Sequence, residues 1–380
     1  MLTLRAYLIS LGVILGLYFL MVIPPLHKPL QFDEAEYAAF ARQINKNGST
    51  AIDYYGENMQ QGFTVNGRYF PMKYGFYSHP PLYAYFVTII IKLFGDFDYV
   101  YRAVSMASVL LTLLLVNLFI WAYYRDVDKQ KKWILSLIAS FIFLFTPLTL
   151  LGSQLVDIDN SLLLVSTTAF VLIFAYWYSR RKLRLGNLLL LGIILCVNLL
   201  VKDTTPPLII ACIFIFYLLT RKVKDGFKVC FAITFFGVVF FSLVWYFYCR
   251  IAGIGPFLFL LISCDMFMKR TGFSSIIEHL RLIKWNFFWL SVPLLVLIFI
   301  SFWHNLRHCL KSSGKGVMLL FVIICGFIFT IYSVVLLGMY NTKYIIPIMP
   351  FVALILADYL YERLRFSAQV FKAGVVLFLA

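Results

Sequence analysis

Apolar stretches long enough to cross a bilayer recur along almost the whole chain, and each requires about 20 residues of helix to span the hydrocarbon. With 62% hydrophobic and only 13% charged residues among 380, the chain lies outside the range of soluble domains and reads as an all-α polytopic membrane protein. Its length leaves room for about a dozen spans and little else. A single membrane domain over residues 1–380 is therefore expected, without a separate soluble domain.

The net charge of +16 would suit a nucleic-acid partner in a soluble protein. In a membrane chain Lys and Arg gather in cytoplasmic loops instead, so the charge is assigned to topology and no nucleic-acid partner is expected. The first run, Leu4 to Ile23, precedes Pro24-Pro25 with no small-residue cleavage pattern, and is predicted to be a retained helix. Pro81 to Gly95 is too short for a crossing and contains Lys92. If it does not cross, about 11 spans follow: 4–23, 99–123, 133–152, 160–178, 187–201, 204–220, 229–250, 284–303, 316–338, 343–361 and one from about 366. The basic loops around Arg125, Arg180, Arg221, Arg307 and Arg363 then all share the N-terminal, cytoplasmic side. Residues 24–98 become a long first extracytoplasmic loop with surface helices. The seven cysteines lie mostly in apolar runs without paired spacing, which supports neither a zinc site nor a disulfide framework.

With that topology the unusual polar residues collect on one membrane face. In the first loop, Asp33-Glu34-Ala35-Glu36 places three carboxylates in four residues beside a bilayer. Either Asp33 or Glu34 caps a surface helix whose apolar face is Phe32, Ala35, Ala39 and Phe40, or the run supplies a general base. In the D-x-D-N run, either Asp159 or Asn160 caps the helix starting near Ser161, or Asp157 and Asp159 hold a divalent cation or position an acceptor. His79, just before Pro80-Pro81, is either part of a helix entry or a donor to an anionic group. Lys202 is placed either to neutralise the adjacent Asp203 or to bind a phosphate, and Lys343 either to snorkel to headgroups or to add a second cation.

The ordered series DE-x-x-YA-x-x-AR, HPPLYAYF, LFG, Arg102 opening the next helix, D-x-DN, VKD and KYIIPIMP resembles the GT-C glycosyltransferases of the protein O-mannosyltransferase and ArnT-like superfamily, including the RgtA/B/C/D-like group. The resemblance runs over about residues 1–361. It implies a GT-C fold of eleven to thirteen membrane helices, a long first loop with juxtamembrane helices, and a sugar donor carried on a polyprenyl phosphate. By that resemblance Asp33 is the first-loop acid and base, Glu34 its neighbour, and Asp159 the second acid, with Asp157 as the other candidate for that match. Substrate binding is expected at His79, Asp157, Lys202, Lys343 and Arg102. Where aminoarabinose transferases have Glu-Lys before the prolines this chain has Ser78-His79, so phosphate binding there rests on His79 and one metal ligand is missing. A divalent metal, if used, would fall on Asp157 and Asp159.

These readings combine into an inverting transfer of sugar from a polyprenyl-phosphate donor to a lipid, polysaccharide or protein hydroxyl, at the extracytoplasmic face of the cell membrane. The rival is a transporter or flippase of lipid-linked sugars, which would place its ionisable groups near the bilayer midplane. A non-catalytic scaffold would not need the carboxylates.

Overall fold

The computed structural model describes residues 3–30, 33–47, 62–65, 68–71, 80–124, 127–180, 183–202, 204–252, 292–311, 315–331 and 346–364. The helices are α1 (Leu4–Val22), α2 (Asp33–Asn47), α3 (Leu82–Phe94), α4 (Asp98–Tyr123), α5 (Lys129–Phe145), α6 (Pro147–Gly152) and α7 (Leu162–Ser179). They continue with α8 (Leu185–Val201), α9 (Thr205–Leu219), α10 (Val223–Ala252), α11 (Val292–Lys311), α12 (Lys315–Ile331) and α13 (Met349–Leu364). Among the described residues, four helical segments are long and apolar enough to cross a membrane by themselves: Leu4–His27, Asp98–Tyr123, Leu162–Ser179 and Val223–Arg250. Shorter apolar helices, including Leu185–Val201 and Thr205–Leu219, pack among them. Among the described residues the fold is helical apart from one hairpin in the first loop, where Gly62–Val65 pairs antiparallel with Arg68–Pro71. The last expected span, from about residue 366, lies outside the described residues.

Two departures from the sequence expectations have local causes. The stretch expected as one span over 133–152 is divided into α5 and α6. Thr146 adopts an extended conformation (φ −63°, ψ 129°) because a residue before proline is pushed out of the helical region, and Pro147 then opens α6. In α2 the inward stripe is Tyr37, Phe40, Ala41 and Ile44, while Ala35 is exposed and Ala39 only half-buried. The expected face through Ala35 and Ala39 is therefore rotated, so that Ala38 and Ala41 are the alanines that enter the core with Tyr37, Phe40 and Ile44. Arg42 is on the outer side as expected, where its Nε donates to Asp96 at 3.0 and 2.9 Å.

α3 has 13 residues, about 20 Å at 1.5 Å per residue, against a hydrocarbon core of about 30 Å. Its inward face (Tyr83, Ala84, Val87, Ile91) packs with α2, the start of α4 and Val156, Ile158, Leu163 and Val201 into a small apolar cluster. This cluster is separate from the main core built from α4, α5, α7, α9, α12 and α13. All the described polar candidates are at its edge.

The polar candidates and two of the basic side chains lie at opposite helix ends. Tyr124, at the far end of α4, is roughly 33 Å along that helix from Arg102. There the Lys131 ammonium lies 5.3 Å from the Tyr124 ring centre and 4.6 Å from that of Tyr361. At the far end of α7, Lys222 lies 5.7 Å from the ring centre of Tyr178. Lys131 and Lys222 are therefore at the helix ends opposite Glu34, Asp157, Asp159 and Lys202.

Candidate functional site

Arg102, in the second turn of α4, binds Glu34 from α2 as a two-pronged fork: Nε donates to Oε1 at 3.0 Å and Nη2 to Oε2 at 2.7 Å. Its remaining donors reach backbone carbonyls of the segment after α1. Nη1 donates to Leu26 at 3.1 Å and to Lys28, and Nη2 donates to Pro29 at 2.9 Å. A guanidinium has five N–H groups, and all are engaged here. Both members of the pair are buried, with 5% and 9% of their side chains exposed. Arg102 thus ties α4, the chain after α1 and the start of α2 together. The role expected for it, binding substrate, would require it to leave these partners.

Glu34 has a further partner that no sequence pattern indicates. Its Oε1 also accepts the backbone N–H of Val156 at 3.1 Å. This bond brings the acidic run of the first loop against the segment that carries Asp157 and Asp159, 122 residues away. The side chain of Asp33 lies outside the described residues, but its backbone opens α2 immediately before Glu34.

In the 156–161 segment, Asp157 Oδ1 accepts the backbone N–H of Asp159 at 2.9 Å and the Ser161 hydroxyl donates to the Asp157 carbonyl at 2.6 Å. These short-range bonds make a tight turn of the kind aspartate favours. Ser161 is the N-cap of α7, so neither Asp159 nor Asn160 has the capping role that the sequence left open. Asp159 instead receives the Lys202 ammonium at 2.6 Å, both side chains being buried with 6% and 7% exposed. Lys202 caps the C-terminus of α8 in an extended conformation. Lys202 thus has a partner 43 residues away that adjacency in the sequence does not indicate. Asp203, His79 and Lys343 lie outside the described residues.

The acid pair is a poor fit to a divalent ion. A buried ammonium already occupies Asp159, and one Asp157 oxygen is held by a backbone N–H. Among the described residues no three His, Cys, Asp or Glu side chains converge as a metal cluster. The five described cysteines, Cys196, Cys212, Cys230, Cys249 and Cys325, are free and buried. At the rim of the small cluster, Asp96 accepts from Arg42 and, at 2.7 Å, from the Tyr101 hydroxyl. The hydrogen bond from Arg42 holds the Asp96 carboxyl below its ordinary pKa. Sequence reading missed this clasp, since Arg42 and Asp96 are in different motifs.

Comparison with known proteins bears on the fold. Residues 78–247 match the family model described as dolichyl-phosphate-mannose-protein mannosyltransferase. ArnT from Cupriavidus metallidurans bound to undecaprenyl phosphate shares the fold, with a TM-score of 0.69 and 14% identity over 98% of this chain and 62% of that one. The oligosaccharyltransferase of Archaeoglobus fulgidus in the apo form gives a TM-score of 0.57 and 15% identity over 97% of this chain and 52% of that one. The chain thus spans less than two thirds of the length of either structure. No curated protein matches. Along nearly its whole length the chain has the GT-C fold of these two structures, and its middle is similar to the dolichyl-phosphate-mannose-protein mannosyltransferase family.

Proposed function

We propose that the protein is an inverting glycosyltransferase that moves a sugar from a polyprenyl-phosphate donor to an acceptor hydroxyl at the extracytoplasmic membrane face. The observation that carries this reading is the bond from the Val156 N–H to Glu34, which unites the first-loop acids with the Asp159–Lys202 pair. Asp33 is assigned as general base. It takes the proton of the acceptor hydroxyl while the acceptor oxygen forms a bond to the sugar C1. The bond between C1 and the phosphate oxygen breaks at the same time, and its electron pair leaves with the phosphate. Lys202 offers positive charge to that developing anion, and His79 and Lys343 are assigned to the same phosphate from the sequence. Glu34 and Arg102 hold Asp33 in place. Asp159 orients the Lys202 ammonium, and the Asp157 turn presents Asp159.

The undecaprenyl phosphate bound to ArnT supports a lipid-phosphate donor, and the basic loops at the opposite helix ends support the extracytoplasmic placement. Acids at helix ends rather than mid-helix favour transfer over transport. Envelope glycolipids, polysaccharides and glycoproteins compared by mass spectrometry in cells with and without the gene test the reading. Loss of one sugar from one acceptor class is expected. An unchanged glycan profile with altered export of a lipid-linked intermediate would contradict it and favour a flippase.

A further inference from the structure

We infer that the Lys202 ammonium is the permanent cation of the Asp157–Asp159 turn, filling the position that a divalent metal would take on a D-x-D pair, so that the site works without such a metal. The inference deepens the reading above, since it states how the donor phosphate is neutralised.

The first support is steric and electrostatic. Lys202 Nζ lies 2.6 Å from Asp159 Oδ1 with both groups buried. Oxygen ligands bind Mg²⁺ or Ca²⁺ at about 2.0–2.6 Å, so ammonium and metal compete for the same region around the carboxylate. A dication there would have to expel a buried lysine or be held against its charge, and at contact distance in a desolvated site that repulsion is strong.

The second support lies in the helix ends. Asp159 stands two residues before Ser161, the N-cap of α7, and Lys202 is the C-cap of α8. The positive end of one helix dipole therefore faces the carboxylate and the negative end of the other faces the ammonium. The fold stabilises this pair in this order, and a dication at the N-terminus of α7 would meet the unfavourable end of the dipole. The backbone fixes the lysine as well: its N–H donates to the Asn198 carbonyl at 2.7 Å, and Pro206 and Pro207 open α9 four residues on.

The third support is the pairing pattern. Glu34 has Arg102 and Asp159 has Lys202, so each of these buried acids is matched by a cation of the protein. Lysine also differs from a metal in having three donors, a number that lets one ammonium donate to a carboxylate and to a phosphate oxygen together.

Mn²⁺ titration of the purified full-length chain in lipid nanodiscs, followed by electron paramagnetic resonance of the free ion, tests the inference without requiring turnover. The wild type and D159N are expected to give superimposable titrations. K202M is expected to gain a Mn²⁺ site that is lost again in the K202M/D159N double variant, and K202R is expected to bind none. A wild-type Mn²⁺ site abolished by D159N would overturn the inference, as would a folded K202M that gains no site. The wild-type comparison decides the matter even if K202M does not fold. Where transfer is measured, excess chelator is expected to change the rate by less than about twofold, and a large loss restored by Mn²⁺ would overturn the metal-free role. Absence of transfer would count against the proposed function alone, because the binding titration stands apart from it.

Discussion

Removing the Arg102 guanidinium would leave the Glu34 carboxylate buried against the Val156 N–H, and three backbone carbonyls after α1 would lose their donor. Breaking a buried pair from one side costs about 3–5 kcal/mol, so R102A is expected to unfold at clearly lower temperature in detergent. R102K keeps the charge but cannot reproduce the fork, and should lower both thermal stability and kcat while leaving KM for the lipid donor near the wild-type value. A rise in KM with unchanged stability would instead mean that Arg102 binds substrate. Calorimetry and steady-state kinetics on the same preparation separate the two outcomes. The residue types at the site were legible in the sequence because acids and lysines beside apolar helices are conspicuous. Their partners were not. Lys202 follows an apolar helix and precedes Asp203, so adjacency points there, and nothing local indicates the bond to Asp159. Arg102 was read as a helix opener and a substrate-binding residue, because nothing in its neighbourhood points to Glu34, 68 residues earlier.

Among the helices, α8 determines where Lys202 is held, and its closest packing is against α10. A Cβ added to Gly192 would stand 2.5 Å from Cβ of Phe236 and 3.1 Å from the Gly237 nitrogen, and one added to Gly237 would meet Leu195 at 2.8 Å. Small residues permit this backbone approach, as they do between membrane helices generally. Replacing Gly192 by leucine is expected to push α8 from α10, cost about 1–3 kcal/mol as overpacking does, and reduce transfer by displacing Lys202. Thermal unfolding and transfer rate together check this, and full activity would show that the α8–α10 contact does not position the site. The apolar helices were readable from run length alone. The break at Thr146-Pro147 was also written in the sequence, but a rule based on apolar length does not count a proline inside a run. The rotated face of α2 was harder to read, since alanine is equally at home inside and outside and only packing against α3 decides between the two stripes.

Over the whole molecule, the account places the acids and Lys202 at one end of the helices and the basic connections at the other. Ala35 and Ser179 are both exposed and belong to these opposite ends. In intact cells a membrane-impermeant maleimide is expected to label Ala35→Cys above the parental background but not Ser179→Cys, with the reverse in inverted vesicles. Labelling of Ser179→Cys in intact cells would invert the topology. Run length and loop charge were sufficient to anticipate a polytopic helical architecture, because the bilayer imposes both, and the GT-C expectation rested on the resemblance carried by the ordered motifs. The convergence of Glu34, Val156, Asp159 and Lys202 was beyond reach, since it depends on contacts between segments far apart in the chain. The central claim, that Asp33 is the base of a glycosyl transfer, is tested most directly by expressing Asp33→Asn at wild-type level in cells lacking the gene and measuring sugar transfer to the acceptor. The account predicts transfer abolished with protein level and thermal stability unchanged, and retained transfer would contradict it.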